Sequence, residues 1–288
     1  MSLRRPAVAG SFYPAGEGEL RHAIEASYLH RLGPGKLPTK GGGAAKGLKA
    51  CVCPHAGYVY SGPVAAHSYL EISQLAKPDL VVVVGPNHYG LGSGIAAYGK
   101  GEWETPLGRV AIDEDASKRI VELTGIVDYD PEAHSREHSV EVQLPFLQSL
   151  YGGSFGFLPI SLAMQDKHTA RDLGKGLAEL LGDAAEGESA AVLIASSDLT
   201  HYEPAARARE NDTVLLKHVE RLDLDAFYTA LERRNITACG YGAIATAMEA
   251  CRILGLTKGR VNKYATSGDV TGDDSAVVGY PSVSFLKA

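Results

Sequence analysis

"VVVVGPNHYG", residues 81–90, decides the fold class. Four β-branched residues in succession give no alternation of apolar and polar, so they read as a strand buried on both faces, and Gly-Pro-Asn-His halts it at a tight turn. A strand covered on both sides belongs to a sheet with helices above and below it. Three more stretches have the same form: "LKACVC" (48–53), "FGFLPISL" (155–162) and "SAAVLIASS" (189–197). Helical apolar periods lie before them at 17–32 and between them at 62–73, 116–125, 137–152 and 169–183, and three more fall between 205 and 255. "RVNKYATSGDV" (260–270) and "SAVVGYPSVSFLKA" (275–288) are strand-like, and "GEWETPLG" (101–108) reads as a hairpin with Trp103 at its turn. Buried strands alternating with helices predict an α/β domain whose central, mostly parallel or mixed sheet is flanked by helices.

The whole chain, 1–288, reads as one such domain, because the residues before "GPGKLPTKGGGAAKG" (33–47) are too few to form a core. By composition that segment is a flexible surface loop. A formal net charge of −6 leaves no basic field for nucleic acid or an anionic membrane. No apolar run reaches the length of a membrane span, and the N-terminus lacks the apolar stretch of a signal peptide. Four cysteines in 288 residues, none in a C-x-x-C pair, argue against a disulfide scaffold or a zinc ribbon. These features predict a cytoplasmic protein with reduced thiols.

In such sheets ligands bind beyond the carboxyl ends of the strands. His55 follows "ACVC", His88 follows "VVVVGPN", and Asp198 and His201 follow "VLIASS". A single histidine in a turn usually bonds the local backbone. Three reaching one sheet edge by the same route point to a metal site or a nucleophile and base. "AHSREHSVEVQLPF" adds His134, His138 and Glu141; on a helix, His138 and Glu141 would share a face and serve as ligands or as a base and its orienter. Cys239 lies where a helix begins, a position that lowers a thiol pKa, and Gly240, Gly242 and Ala243 beside it admit close approach. One of Cys51 and Cys53 is expected in the core, as is Cys251. There is no nucleophile elbow, dinucleotide fingerprint or P-loop.

"RRPAVAGSFYPA", "PHAGYVYSGPVAAHSY", "VGPNHYG", "ETPLG", "EHSVEVQLPFLQ", "SSDLTHY" and "NITACGYGAI" follow one another in the order of the Memo family, which this chain resembles from Arg5 to its final strands. The resemblance implies a fold like that of the class III extradiol dioxygenases and a metal site formed by His55, His88 and Cys239. It places Asp198, His201, His138 and Glu141 around the same pocket in catalytic roles. Iron or copper is the implied ion, since a thiolate in place of a carboxylate favours softer, redox-active metals. The leading expectation is a metal-dependent redox protein. The alternatives are a ring-cleaving dioxygenase, a pocket that binds a peptide or small-molecule ligand without chemistry, and a cysteine hydrolase built from Cys239, His201 and Asp198.

Overall fold

The computed structural model describes residues 2–39 and 41–287; Met1, Lys40 and Ala288 lie outside it, so the expected loop at 33–47 is described without Lys40. The chain runs through β1 (Leu3–Arg4), α1 (Glu17–Leu29), β2 (Gly47–Cys53), α2 (Tyr58–Ile72) and β3 (Leu80–Pro86). The short strands β4 (Ile95–Ala97), β5 (Glu102–Thr105) and β6 (Gly108–Ala111) lead to α3 (Glu114–Thr124) and β7 (Asp128–Tyr129). Next come α4 (Leu144–Tyr151), β8 (Gly156–Leu162), α5 (Lys167–Leu180), α6 (Gly182–Glu186), β9 (Ala190–Ser196) and β10 (His201–Glu203). Helices α7 (Ala205–Glu220), α8 (Leu224–Arg234) and α9 (Tyr241–Ile253) precede β11 (Lys258–Thr266), α10 (Gly268–Thr271) and β12 (Val277–Leu286).

The centre of the main sheet is the parallel set β2-β9-β3-β8. Its edges are mixed: β12 runs antiparallel to β2, with β10 and β11 antiparallel to β12, and β4 runs antiparallel to β8 with β7 beyond it. In chain order β9 is the last of the four parallel strands, yet it inserts between β2 and β3. The carboxyl ends of three adjacent strands therefore meet at one edge.

The valine run is buried on both faces, as its composition requires. Val81 and Val83 pack with α1, α2 and α4 residues such as Ile24, Tyr69 and Phe146, and Val82 and Val84 pack with Leu173, Leu177 and Met248 of α5 and α9. Each buried valine contributes roughly 1.5–3 kcal/mol. Cys51 and Cys53, two residues apart, share a face and are both buried, as is Cys251.

Two local expectations need correction. Trp103 does not sit at the hairpin turn. It lies within β5, fully buried, while Pro106 and Leu107 make the turn to β6, and this hairpin pairs with β1 in a separate three-stranded sheet. The segment from 137 is not a continuous helix either: a 3-10 turn spans Glu141–Gln143 and α4 starts only at Leu144. The Glu137 carboxylate accepts the backbone N–H groups of His138 and Ser139, which offers them an alternative to helical pairing. His138 and Glu141 therefore do not share a helix face.

Candidate metal centre

The loop after β2 carries His55, the loop after β3 carries His88, and the turn before α9 carries Cys239. Cys239 Sγ lies 3.1 Å from His55 Nε2, and one ligating atom from each of His55, His88 and Cys239 lies within 4.8 Å of the other two. The turn is clamped onto the end of β9: Cys239 N–H donates to Asp198 O, and Gly240 N–H to Ser197 Oγ. A Cβ on Gly240 would stand 2.4 Å from Ser196 O, so glycine is what lets the turn come this close.

The far nitrogen of each imidazole is fixed. Ser196 Oγ donates its one proton to Ser139 O (2.6 Å) and accepts from Gln143 Nε2 (2.8 Å). Its 2.9 Å contact with His55 Nδ1 is therefore an N–H donated by the ring, which leaves His55 Nε2 bare and facing the sulfur. His88 Nδ1 donates to Glu137 Oε1 at 2.9 Å, and His88 N–H to Glu137 Oε2 at 2.6 Å. Burial alone would raise the Glu137 pKa, but the His88 hydrogen bond, the neighbouring His88 and His138 rings and the Ser139 amide outweigh it and hold the carboxyl at about 2. An ionised carboxylate on Nδ1–H leaves His88 Nε2 free to ligate, the outer-shell arrangement common to metal-binding histidines.

His138 stacks on His88 with ring centroids 4.5 Å apart, and Phe12 lies 4.4 Å from its other side. Burial first, opposed by Glu137, lowers the His138 pKa to about 4, so this ring is neutral at pH 7. Asp198 is buried and accepts the His55 N–H at 2.9 Å; burial raises its pKa to about 6 against the pull of that amide and of His201 and His88. His201 Nδ1 lies against Leu199 O and Thr237 O.

The expected activation of Cys239 by a helix terminus is reversed. The residue precedes α9, whose N-cap is Gly240, and burial together with the Asp198 carboxylate pushes the thiol pKa up. Without a cation the sulfur holds its proton against His55 Nε2. A Cys-His-Asp triad does not form either, because His201 Nδ1 serves two carbonyls rather than Asp198. Glu141 spends both carboxylate oxygens on the N-terminal segment: Arg4 Nη1 (2.7 Å), Ala7 N–H (2.8 Å), Val8 N–H (3.1 Å) and Tyr13 OH (2.6 Å). His134 is buried beside Trp103, with Nε2–H donated to Ala96 O.

The family model described as Memo-like protein matches residues 4–284. The chain belongs to the Memo family. Curated relatives named MEMO1 family protein cover nearly the whole chain. That of Methanopyrus kandleri is 46% identical over 99% of both chains, and that of Aeropyrum pernix is 49% identical over 98% of this chain and 99% of its own. The crystal structure of the uncharacterized protein JW3007 from Escherichia coli K12 is similar in fold, with a TM-score of 0.58 at 15% identity, covering 82% of this chain and 99% of that one. Among the described residues of this Memo-family chain, no helix is long and apolar enough to cross a membrane.

Glu137, Ser196, Gln143 and Arg4 hold the donors in place, a role that their residue types alone do not announce. The available signal was the acid immediately before His138 in "REHS". Glu137→Gln places an amide N–H against donors that need an acceptor. It is expected to lower metal affinity by about 10–100-fold, read by competition with a chromogenic chelator; unchanged affinity would remove Glu137 from the site.

Proposed function

We propose that this protein binds a redox-active transition-metal ion, iron or copper, through His55 Nε2, His88 Nε2 and Cys239 Sγ. The observation that carries the reading is that two imidazoles, each held through its Nδ1, bring one ring nitrogen apiece within 4.8 Å of one sulfur atom, His55 Nε2 at 3.1 Å. Two nitrogens and a thiolate suit copper or iron better than magnesium or calcium. The bound ion would supply one-electron chemistry and open positions for a reactant. The chain's own residues orient the ligands and manage protons: Ser196 and Glu137 fix the tautomers, His138 is a neutral base beside His88, and Asp198 and His201 stand close to Cys239. Glu141 takes a positioning role, tying the N-terminal segment beneath the site.

Elemental analysis of untagged protein loaded without oxygen tests this. The parent chain is expected to retain iron or copper, and each of His55→Ala, His88→Ala and Cys239→Ala to lose more than the ~100-fold that an outer-shell change costs. A triple variant that retains as much metal as the parent overturns the assignment.

A ring-cleaving dioxygenase with an extradiol-type fold is the second reading. In its favour is His138, held neutral beside His88, where a general base for a phenolic substrate would stand. Oxygen uptake by iron-loaded protein across a panel of catechols decides it: steady consumption supports turnover, and none across the panel rejects it.

A further inference from the structure

A second set of donors shares the sulfur of Cys239. One ligating atom from each of Asp198, His201 and Cys239 lies within 4.8 Å of the other two, and this triad has only Cys239 in common with His55 and His88. Its histidine is prepared like the other two. His201 Nδ1 lies 2.6 Å from Leu199 O and 2.9 Å from Thr237 O, and since carbonyls only accept, Nδ1 carries the proton and Nε2 is bare. Backbone bonds fix the ring's position: His201 N–H donates to Thr237 Oγ1 at 2.8 Å, and the next residue, Tyr202, takes φ of +60°, a left-handed conformation rare for a bulky side chain and typical of functional sites.

The carboxylate gives an independent observation. Asp198 is 4% exposed, and among the described residues no lysine or arginine pairs with it. Its partners are the amides of His55 and Ala56. A buried carboxylate without a cation is a costly arrangement that a bound positive ion would offset.

We propose that a second transition-metal ion is held by Asp198, His201 and Cys239, with the Cys239 thiolate bridging it to the ion on His55 and His88. This rests on the metal reading above. Ions in two-metal sites stand ~3.5–4 Å apart, a span that one sulfur bound to each at ~2.3 Å can bridge. The second set offers one nitrogen, one oxygen and one sulfur, so it selects ferrous iron, cobalt or zinc over the harder calcium and magnesium. The thiolate and the Asp198 and Glu137 carboxylates supply negative charge around the pair.

The test loads the full chain with ferrous iron, and separately with cobalt(II), under anaerobic conditions, removes excess metal and measures the metal-to-protein ratio. The expected ratio is about two in the parent chain, falling to about one in each of His201→Ala, Asp198→Asn and His88→Ala. With cobalt, magnetic coupling through the sulfur weakens the electron paramagnetic signal per ion in the parent, and the signal per ion recovers in the single-site variants. A parent ratio of about one that His88→Ala abolishes and His201→Ala leaves unchanged overturns the second ion and leaves the first reading intact. A ratio of about one that all three variants reduce shows a single centre and also overturns it. A parent chain that binds no metal overturns both readings. The parent ratio depends on no variant's folding, so a variant that fails to fold does not shield the proposal.

Discussion

Arg4→Ala is expected to cost about 3–5 kcal/mol of folding stability, the range found when one partner of a buried ion pair is removed, and to loosen the metal centre as well. Arg4 is buried, and its guanidinium makes three bonds of 2.7 Å: Nε to His134 O, Nη1 to Glu141 Oε2 and Nη2 to Glu137 O. Its Cζ also lies 4.0 Å from the centre of the Trp103 ring. Truncation leaves the Glu141 carboxylate buried with Tyr13 and two amides but no cation, and orphans two carbonyls. Because Glu137 belongs to the segment Arg4 braces, the loss reaches the carboxylate that orients His88. Arg4→Lys keeps a charge but not the planar fork, so it should recover only part of the stability. Urea unfolding measures the first effect and chelator competition the second. A cost below about 1 kcal/mol, the range of an exposed pair, would refute the bracing role.

His134 is expected to make the protein acid-sensitive. Burial first, then the nearby Arg4, lowers its pKa from 6.5 to about 3, against the opposing pull of the Ala96 carbonyl and the carboxylates of Glu137 and Asp130. Its Nδ1 has no partner, and Nε2–H donates to Ala96 O at 3.0 Å. The folded-state pKa lies below the unfolded one, so the unfolded chain takes up a proton that the native chain refuses. The stabilisation is complete above pH 6.5 and is lost as pH falls toward 3. Over that window a shift of this size amounts to on the order of 5 kcal/mol. His134→Gln keeps an N–H for Ala96 O and cannot titrate. The stability difference between parent and variant should therefore narrow or reverse as pH falls, followed by urea unfolding at a series of pH values. Parallel curves would exclude His134 as the source.

Much of this was legible in the chain itself. The β-branched run at 81–84 requires cover on both faces, and the strand-end rule then places His55, His88, Asp198 and His201 at one edge, because side chains beyond parallel strands have few other places to go. Cys239 was legible from the family pattern and from the glycine beside it. The supports were not. Glu137 reads as one more charged residue in a helical window, and only the fold shows it accepting the amides that a helix would have used. Arg4 looks like a terminal charge, and its partners at 134, 137 and 141 lie more than a hundred residues away. The state of the Cys239 thiol was misread for a related reason: helix position is local, whereas desolvation depends on everything packed around the sulfur.

The late insertion of β9 between β2 and β3 has a consequence for synthesis. A ribosome delivers the first two histidines of the pocket long before the strand that separates them, so a nascent chain that has not yet emerged to residue 190 carries three unpaired edges on β2 and β3 and no centre. Such exposed edges invite pairing with other chains. The site is therefore completed from its flanks inward, and a filled centre would report that β9 has threaded between β2 and β3 and that the chain has reached Cys239.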